Sequence, residues 1–499
     1  MDLKPDGVLR PDLWALLLPA LRIARAAGRE YLASGRYVPH QDAVAYKQDT
    51  AGWPQVTQDP LGGRTKSEFV DWKKMFTVSP TGALGRISTT DVSELNEALA
   101  DISRAAFEDV DLLKGLSLLA PVSMEAGYEY NRSQIEFETL HMLMTEILNR
   151  AEAVGAESDM DLREIYLAIE KTRFCSVLVG DFVVPLVAVS FDLDSPVQIS
   201  DGTWIEPLSE SDHRVRALPW IRDGPVDPYV AASATHAVVL KQVTFPNVVH
   251  ALRHDKSLPE GVSVDAADAM AEALHIVSGA STGYAQVLVR PQGWSAGWVL
   301  DLPPLWTCWT GRAYPEELNA REWSKTMSPV SPDNLDAAIQ VSKGLKEAPR
   351  NVKIAARRCR KTTFRDDSED VVLDLAIGIE ALLGNEPDSL THRMAQRAAI
   401  VLAEKVPPEN TYKLVKGFYA IRSQIAHGAS PKRWTVKLGN EEHDVIEVGD
   451  YLLRELLLNR LLAKRPWTAE SLDSRMLAAF EGSVSARTVR DENPGGGAF

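Results

Sequence analysis

Near the C-terminal end of the chain, the stretch YAIRSQIAHGAS carries residue types that could do chemistry. Arg422 offers a permanently charged guanidinium fork that pairs with anionic oxygens. His427 offers an imidazole, a group that exchanges protons near neutral pH. Ser423, beside the arginine, could bond an anion or orient the imidazole. The three side chains together would suit acid–base catalysis with stabilisation of negative charge.

The spacing places this segment on a helix that ends at the histidine. Four apolar residues are spaced 4, 3 and 4 apart, which puts them on one buried face: Leu414, Phe418, Ile421 and Ile425. Arg422 lies at the edge of that face, and Gly428 favours a helix end just after His427. Five residues separate the two side chains, about 140° around an ideal helix. They converge only if the helix ends at His427 or if two chains share a cleft at a two-fold axis.

A structural interpretation of the same residues stays open. A histidine before a C-terminal glycine often satisfies the last carbonyls of a helix. An arginine at a stripe edge is often solvated or paired with a glutamate. Spacing alone therefore does not separate a catalytic pair from an ordinary helix end.

Three regions can be distinguished around this segment, which predicts an α+β multidomain protein. Residues 1–165 are predicted to be mainly helical, with long polar loops such as HQDAVAYKQDTAGWPQ. Residues 166–312 are rich in strand patterns, including CSVLVGDFVVPLVAVSF and a hairpin at Asp201-Gly202, and form a mixed α/β region. Residues 313–485 read as six helices with apolar stripes and short loops, an all-α bundle. Residues 486–499 should be a flexible tail.

Composition limits the kinds of partner and compartment. A chain of 499 residues predicts two or three domains. Its formal net charge is -15, so any nucleic-acid site must be a local basic patch. Its three cysteines form no CxxC pair, and no segment has the character of a signal or a membrane span. We expect a cytoplasmic protein that does not insert in a membrane.

Three ordered motifs in the last third of the chain resemble the Apea-like branch of the HEPN family. They are EDVVLDLAIGIEALLG, HRMAQRAAIVL and FYAIRSQIAHG. The matching residues are Asp374 and Glu380 in the first, Arg393 and Arg397 in the second, and Tyr419, Arg422, Ser423, His427 and Gly428 in the third. The strand-rich region before them resembles, more loosely, the parts that accompany this branch.

The resemblance implies a helical bundle that dimerises and often acts as a metal-independent endoribonuclease. RNA carries its own nucleophile, the 2′-OH, so Arg422 and His427 would need only to stabilise charge and move protons. The family also implies a toxin or antiviral defence role, with the N-terminal part sensing a trigger ligand or protein. A non-catalytic HEPN module that dimerises, or binds a partner protein or nucleotide, is the alternative.

Further residues would support such a site. Glu380 could hold the guanidinium of Arg422 or Arg397, although a purely structural salt bridge is equally compatible with the sequence. Tyr419 could stack on a base or pack in the core. RNA contacts are expected from Arg357, Arg358, Arg360, Lys361, Lys432 and Arg433. The first four lie in a basic run from Lys353 to Arg365 that otherwise forms a solvated face or pairs with the acidic DDSED stretch that follows it.

Other signals predict no chemistry. Residues 279–283 match a G-x-S-x-G elbow, but a helix precedes them and a strand follows, the reverse of the order that the elbow requires. GGRTKS at 62–67 lacks the full spacing of a phosphate loop and reads as a flexible loop. Histidines, cysteines and acidic residues show no metal-ligand spacing, so the sequence predicts neither a metal site nor a cofactor.

Overall fold

The computed structural model describes residues 9–43, 45–48, 54–57, 65–78, 86–117, 130–193, 195–217, 226–247, 258–294, 305–320, 329–384, 390–463 and 466–478. Helices and strands are both abundant, which confirms the predicted α+β class. The predicted tail at 486–499 lies outside the described residues.

The chain divides into two compact units. Unit 1 comprises Met1–Val187, Asp194–Val264 and Tyr284–Arg312, and unit 2 comprises Ala188–Leu193, Asp265–Gly283 and Ala313–Phe499. The segment Asp265–Gly283 comes from the region predicted as strand-rich, yet its helix packs among the C-terminal helices. Apolar periodicity predicts a buried face on that helix but does not say which partner covers it.

Helices form the first part of unit 1. They are α1 (Pro11–Ala33), α2 (Trp72–Met75), α3 (Ser93–Glu108), α4 (Val110–Leu116), α5 (Arg132–Glu138), a π-helical turn (Thr139–Met144), α6 (Thr145–Val154) and α7 (Asp159–Phe174). Leu17, Leu99 and Ile169 are buried in one shared core, as expected from apolar residues at helical spacing. Glu170 is buried with them and accepts hydrogen bonds from the backbone N–H groups of Leu9 and Arg10.

Short strands occur in the first part of unit 1, among them strands in the stretch predicted as a long polar loop. These are β1 (His40–Ala43), β2 (Ala45–Gln48), β3 (Pro54–Thr57), β4 (Thr65–Val70), β5 (Phe76–Thr77) and β6 (Ile87–Ser88). The prediction of a long polar loop in HQDAVAYKQDTAGWPQ is therefore wrong. Strand β1 pairs with β4 and β2 pairs with β3, both antiparallel, and backbone hydrogen bonds of this kind form whatever the polarity of the side chains. Of GGRTKS, residues 65–67 lie in β4 and residues 62–64 lie outside the described residues.

A six-stranded sheet forms the second part of unit 1. Its strands are β7 (Val177–Val187), β8 (Val197–Ser200), β9 (Thr203–Pro207), β10 (His236–Pro246), β11 (Gly283–Pro291) and β12 (Trp306–Ala313), in the order β12-β11-β7-β10-β9-β8. Helices α8 (Glu210–Ala217) and α9 (Pro228–Ala232) lie between β9 and β10 in the chain. The predicted hairpin at Asp201-Gly202 is confirmed, with Gly202 at φ +64° joining antiparallel β8 and β9.

Unit 2 is a helical bundle that carries one small hairpin. Its helices are α10 (Asp265–Ser278), α11 (Pro332–Glu347), α12 (Arg350–Lys361), α13 (Ser368–Leu383), α14 (Leu390–Val401), α15 (Pro408–Ala426), α16 (Val445–Leu462) and α17 (469–478). All six helices predicted for this region are present. The prediction of an all-α bundle is wrong, because β13 (Thr435–Leu438) and β14 (Glu441–Asp444) form an antiparallel hairpin around Gly439 at φ +66°.

Two glycines allow the bundle helices to approach closely. A Cβ at Gly378 would lie 2.6 Å from Leu453, and a Cβ at Gly449 would lie 2.5 Å from Phe418. The backbones of α13 and α16 at these glycines therefore contact side chains of α16 and α15. One of those side chains, Phe418 on α15, is fully buried. This packing fixes the helix that carries Arg422. None of the described helices is both long and apolar enough to cross a membrane.

Candidate active site

Helix α15 ends in a Schellman arrangement just after the predicted pair. His427 is the capping residue, and Gly428 follows in the left-handed region at φ +75°. The Gly428 N–H donates to the Ile425 carbonyl and the Ala429 N–H to the Gln424 carbonyl, each at 2.9 Å. These two bonds are the ones that define a Schellman end, so the predicted helix end at Gly428 is confirmed.

The His427 side chain takes no part in this cap. Its backbone N–H lies 3.2 Å from the carbonyls of Ser423 and Gln424, while its imidazole is exposed. Within the described residues we observe no hydrogen bond or ion pair to the ring. Ser423 is exposed one turn earlier, with its hydroxyl equally unengaged there. The helix end therefore needs only the backbone of His427 and leaves the imidazole available.

Arg422 forms an ion pair with a glutamate on the neighbouring helix α13. Its Nη2 lies 3.1 Å from Oε1 of Glu380 on α13, and the two side chains are 32% and 24% exposed. Nε of Arg422 and Oε1 of Glu380 are both buried without an aligned hydrogen bond in the described part of the chain. Glu380 thus pairs with Arg422, one of its two predicted partners, through an ion contact that leaves guanidinium donors unused.

Tyr419 packs in the core. Its hydroxyl is buried and donates to the Ala376 carbonyl at 3.2 Å. Burial raises the pKa of Tyr419 well above its usual value, and the charge of Glu380 raises it further. The core-packing interpretation of Tyr419 therefore agrees with the structure, and the ring is not free to stack on a base.

Arg397 is buried elsewhere in the bundle. Its Nε and Nη2 lie 2.8 Å and 2.6 Å from the carboxylate of Asp473 on α17, and Nη1 donates to the Leu383 carbonyl. The guanidinium hydrogen bond holds the pKa of Asp473 below its usual value. The structure brings Arg397 to the C-terminal end of α13 and to α17, not to Glu380.

The predicted basic patch divides into paired and exposed residues. Arg358 pairs with buried Asp374, and Arg360 lies 2.7 Å from Asp268. Arg365 pairs with both Asp374 and Asp370, the latter within the DDSED stretch, so the pairing interpretation holds for this part. The exposed members are Arg357, Lys361, Lys432 and Arg433.

The two ion pairs on α13 face different ways. Asp374 and Glu380 are six residues apart, which is about 9 Å along the helix and about 120° around it. Arg358 therefore meets α13 on a different face from Arg422. In contrast, Lys432 and Arg433 follow directly after the helix end that carries His427, and Arg433 lies 3.7 Å from Glu442 of the hairpin.

The G-x-S-x-G stretch is a helix-to-strand turn, as predicted. Helix α10 ends at Ser278, Gly279 has φ +73°, and β11 begins at Gly283. The serine therefore lacks the strand-to-helix elbow that would expose it as a nucleophile.

Sequence reasoning missed a cluster inside unit 2. The structure brings His275, Cys359 and Asp450 together, with all three potential ligand atoms within 4.8 Å of one another. The residues are far apart in the sequence, so no local spacing indicates them. One signal was present: His275 lies on the apolar face of α10 beside Ala271 and Leu274, where a polar side chain needs a partner.

No family model, curated protein or solved structure matches this chain. Its function is therefore argued from the geometry of its own residues and from the motif resemblance.

Proposed function

We propose that unit 2 is a HEPN-type endoribonuclease whose site contains Arg422 and His427. One observation carries the proposal. The imidazole of His427 is exposed at a capped helix end and makes no bond among the described residues, and Glu380 contacts the arginine five residues before it. A purely structural histidine would be expected to use its ring in the cap.

The chemistry requires little beyond these two side chains. The 2′-OH of RNA attacks the adjacent phosphorus, the bond to the 5′-oxygen breaks, and a 2′,3′-cyclic phosphate and a 5′-hydroxyl result. A neutral imidazole accepts the 2′-OH proton, and a protonated one donates a proton to the leaving oxygen. Arg422 pairs its guanidinium with the phosphate oxygens as negative charge grows. Ser423, exposed beside it, would bond the phosphate.

A second copy of the chain would complete the site. The helix ends at His427, so its imidazole can turn back toward Arg422 within one protomer, but the family resemblance implies a dimer in which two protomers share the site. Two helix ends around a two-fold axis would place an arginine of one protomer near the histidine of the other. The exposed residues Lys432 and Arg433 beside each end would then contact the RNA backbone.

The wider role follows from the resemblance alone. We infer a cytoplasmic toxin or antiviral defence effector in which unit 1 senses a trigger ligand or protein. Fusion of a small nuclease to a larger non-catalytic part suits such a layout.

One observation favours a second function, a non-catalytic dimerisation or binding module. Arg422 is ion-paired with Glu380, as a structural arginine would be. In that function the pair would stabilise the contact between α13 and α15, and His427 would be an ordinary surface residue.

Cleavage of total cellular RNA in EDTA separates the two functions. Wild type is compared with Arg422→Ala, His427→Ala and the matched control His392→Ala, which removes another exposed histidine of the bundle. We expect wild type and the control to leave cyclic phosphate ends, and each site variant to lose at least about 100-fold in rate. Circular dichroism in the same buffer verifies that each protein is folded.

Two results would count against the nuclease. Cleavage that is unchanged in both folded site variants would place the activity elsewhere. Equal cleavage of a single-stranded DNA of the same sequence would show that the 2′-OH is not the nucleophile.

A further inference from the structure

Three helices of unit 2 direct metal-binding side chains at one buried point. His275 comes from α10, Cys359 from α12 and Asp450 from α16. The imidazole, thiol and carboxylate ligand atoms all lie within 4.8 Å of one another. His275 and Cys359 are buried, whereas the side chain of Asp450 keeps 24% of its surface exposed. A small ion would therefore have a route to the cluster past Asp450.

Polar atoms in this cluster lack the partners that burial demands. Both ring nitrogens of His275 and Oδ1 of Asp450 are buried without an aligned hydrogen bond among the described residues. Nε2 of His275 lies 3.2 Å from Oδ1 of Asp450 without the geometry of a hydrogen bond. Buried nitrogen and oxygen atoms without partners are costly. A cation between them would satisfy one histidine nitrogen and the carboxylate together.

The donor types indicate which cation. A thiolate, an imidazole and a carboxylate are the ligands of Zn²⁺, whereas Mg²⁺ and Ca²⁺ prefer oxygen alone. In a tetrahedral zinc site neighbouring ligand atoms stand roughly 3.3–3.6 Å apart, so the observed cluster needs to contract by only about 1 Å. Glu272 lies one turn before His275 on α10 but is not part of the cluster.

Residues around the cluster hold one of its ligands in place. Arg454 Nη1 lies 3.3 Å from the other oxygen of Asp450, and its Nε donates to the Ile276 carbonyl at 3.1 Å. Gly279 makes room for this guanidinium, since a Cβ there would lie 2.7 Å from Nη1. An outer partner that orients a carboxylate is a regular feature of metal sites.

A nucleophilic Cys-His-Asp triad would use the same three residue types. Cys359 has 0% of its surface exposed, so no substrate could reach its sulfur. A metal ion is small enough for such a site. We propose that His275, Cys359 and Asp450 bind one Zn²⁺ ion that ties α10 to α12 and α16.

With three protein ligands and a water molecule in the fourth position, a zinc ion here would join helices rather than activate a substrate. The thiol of Cys359 would lose its proton to solvent on binding, and the ion would join a helix from the middle of the sequence to the C-terminal bundle. RNA cleavage is not required for any part of this proposal, and the zinc ligands are separate from Arg422 and His427.

Cobalt substitution of the full chain tests the site. Purified protein is stripped of metal and titrated with Co²⁺, whose thiolate complexes absorb in the near ultraviolet. Wild type is compared with Cys359→Ser, Asp450→Asn and the control Cys308→Ser, which removes a different buried thiol that donates to the Val287 carbonyl. Metal content of the untreated protein and the melting temperature with and without Zn²⁺ are measured in parallel.

We expect wild type and Cys308→Ser to bind one equivalent of Co²⁺, to show the thiolate band and to lose it on addition of Zn²⁺. Cys359→Ser should lose the band, and Asp450→Asn, which keeps the shape of the side chain, should bind at least about tenfold more weakly. Absence of the band in wild type would overturn the proposal. So would a band unchanged in folded Cys359→Ser, or, if that variant fails to fold, unchanged affinity in Asp450→Asn.

Discussion

Two arginines of the same bundle, Arg397 and Arg422, show how differently one residue type can be used. Arg397 is fully buried, and its guanidinium is held by Asp473 and by the Leu383 carbonyl. Arg422 is one-third exposed and makes a single ion contact with Glu380, while its Nε has no aligned partner in the described residues.

The two arginines differ in how many guanidinium N–H groups remain available to a ligand. A guanidinium fixed by a carboxylate and a helix carbonyl has little capacity for a ligand, so its contribution is to stability. A guanidinium held at one edge keeps its position and still offers donors to an incoming anion. Both arginines fall within the family-like motifs, and only the structure separates the stabilising residue from the one suited to bind phosphate.

The largest effect on stability is expected from Arg397→Ala. The change leaves Asp473 without its partner and removes a bond to the Leu383 carbonyl, so the free energy of unfolding should fall by about 2–4 kcal/mol. Urea denaturation of the full chain followed by circular dichroism measures this loss. Cleavage per folded molecule should be unchanged, and a selective loss of cleavage would place Arg397 in the site after all.

Arg422→Lys should reduce cleavage strongly and change stability little. Lysine keeps the positive charge but lacks the planar fork, so cleavage should fall by about 100-fold. The free energy of unfolding should change by less than about 1 kcal/mol, because the ion pair with Glu380 is partly exposed. Initial rates and urea curves on the same preparation test both parts. Full activity in the lysine variant would show that charge alone suffices.

A smaller effect is expected from Glu380→Gln, which removes the charge that positions Arg422. The turnover number should fall by about tenfold with little change in KM, because a displaced Arg422 guanidinium would stabilise the transition state less. Glu380→Asp should recover part of the loss. A change in unfolding free energy without any change in turnover would show that the ion pair is structural and does not position Arg422 for cleavage.

The smallest effect concerns pH and Asp473. Its pKa is lower in the folded chain because Arg397 donates hydrogen bonds to it, so the folded state binds that proton less readily. Its stabilising contribution is therefore complete above the ordinary value of about 3.9 and is lost as the pH falls through the folded value. The difference in unfolding free energy between wild type and Asp473→Asn should shrink over that range. A constant difference would show that charge is not involved.

Periodic residues made the helices and the helix end predictable. The stripe Leu414, Phe418, Ile421 and Ile425 placed α15, and Gly428 placed its end. The Asp201-Gly202 turn likewise placed a hairpin. Each of these signals lies within one element, where local spacing and backbone preference decide the outcome.

Features that depend on distant parts of the chain could not be predicted in this way. Strands β1 and β2 have polar sequences and exist because β4 and β3 pair with them. The partner of Arg397, Asp473, lies in a segment without a recognised motif, and the cluster around Cys359 draws one residue from each of three helices. Such contacts are decided by tertiary packing, which one sequence does not encode locally.

The capped end of α15 has a consequence for kinetics. The backbone of His427 is fixed by the Gly428 and Ala429 hydrogen bonds, while its ring makes no bond among the described residues. An exposed ring of this kind changes rotamer within picoseconds to nanoseconds, far faster than the turnover of ordinary enzymes. The same imidazole could therefore accept and deliver protons without any movement of the chain. Movement of His427 would then not be the slow step of such a nuclease. If association of protomers were slow, the rate would depend on protein concentration, and if release of RNA were slow, it would depend on salt.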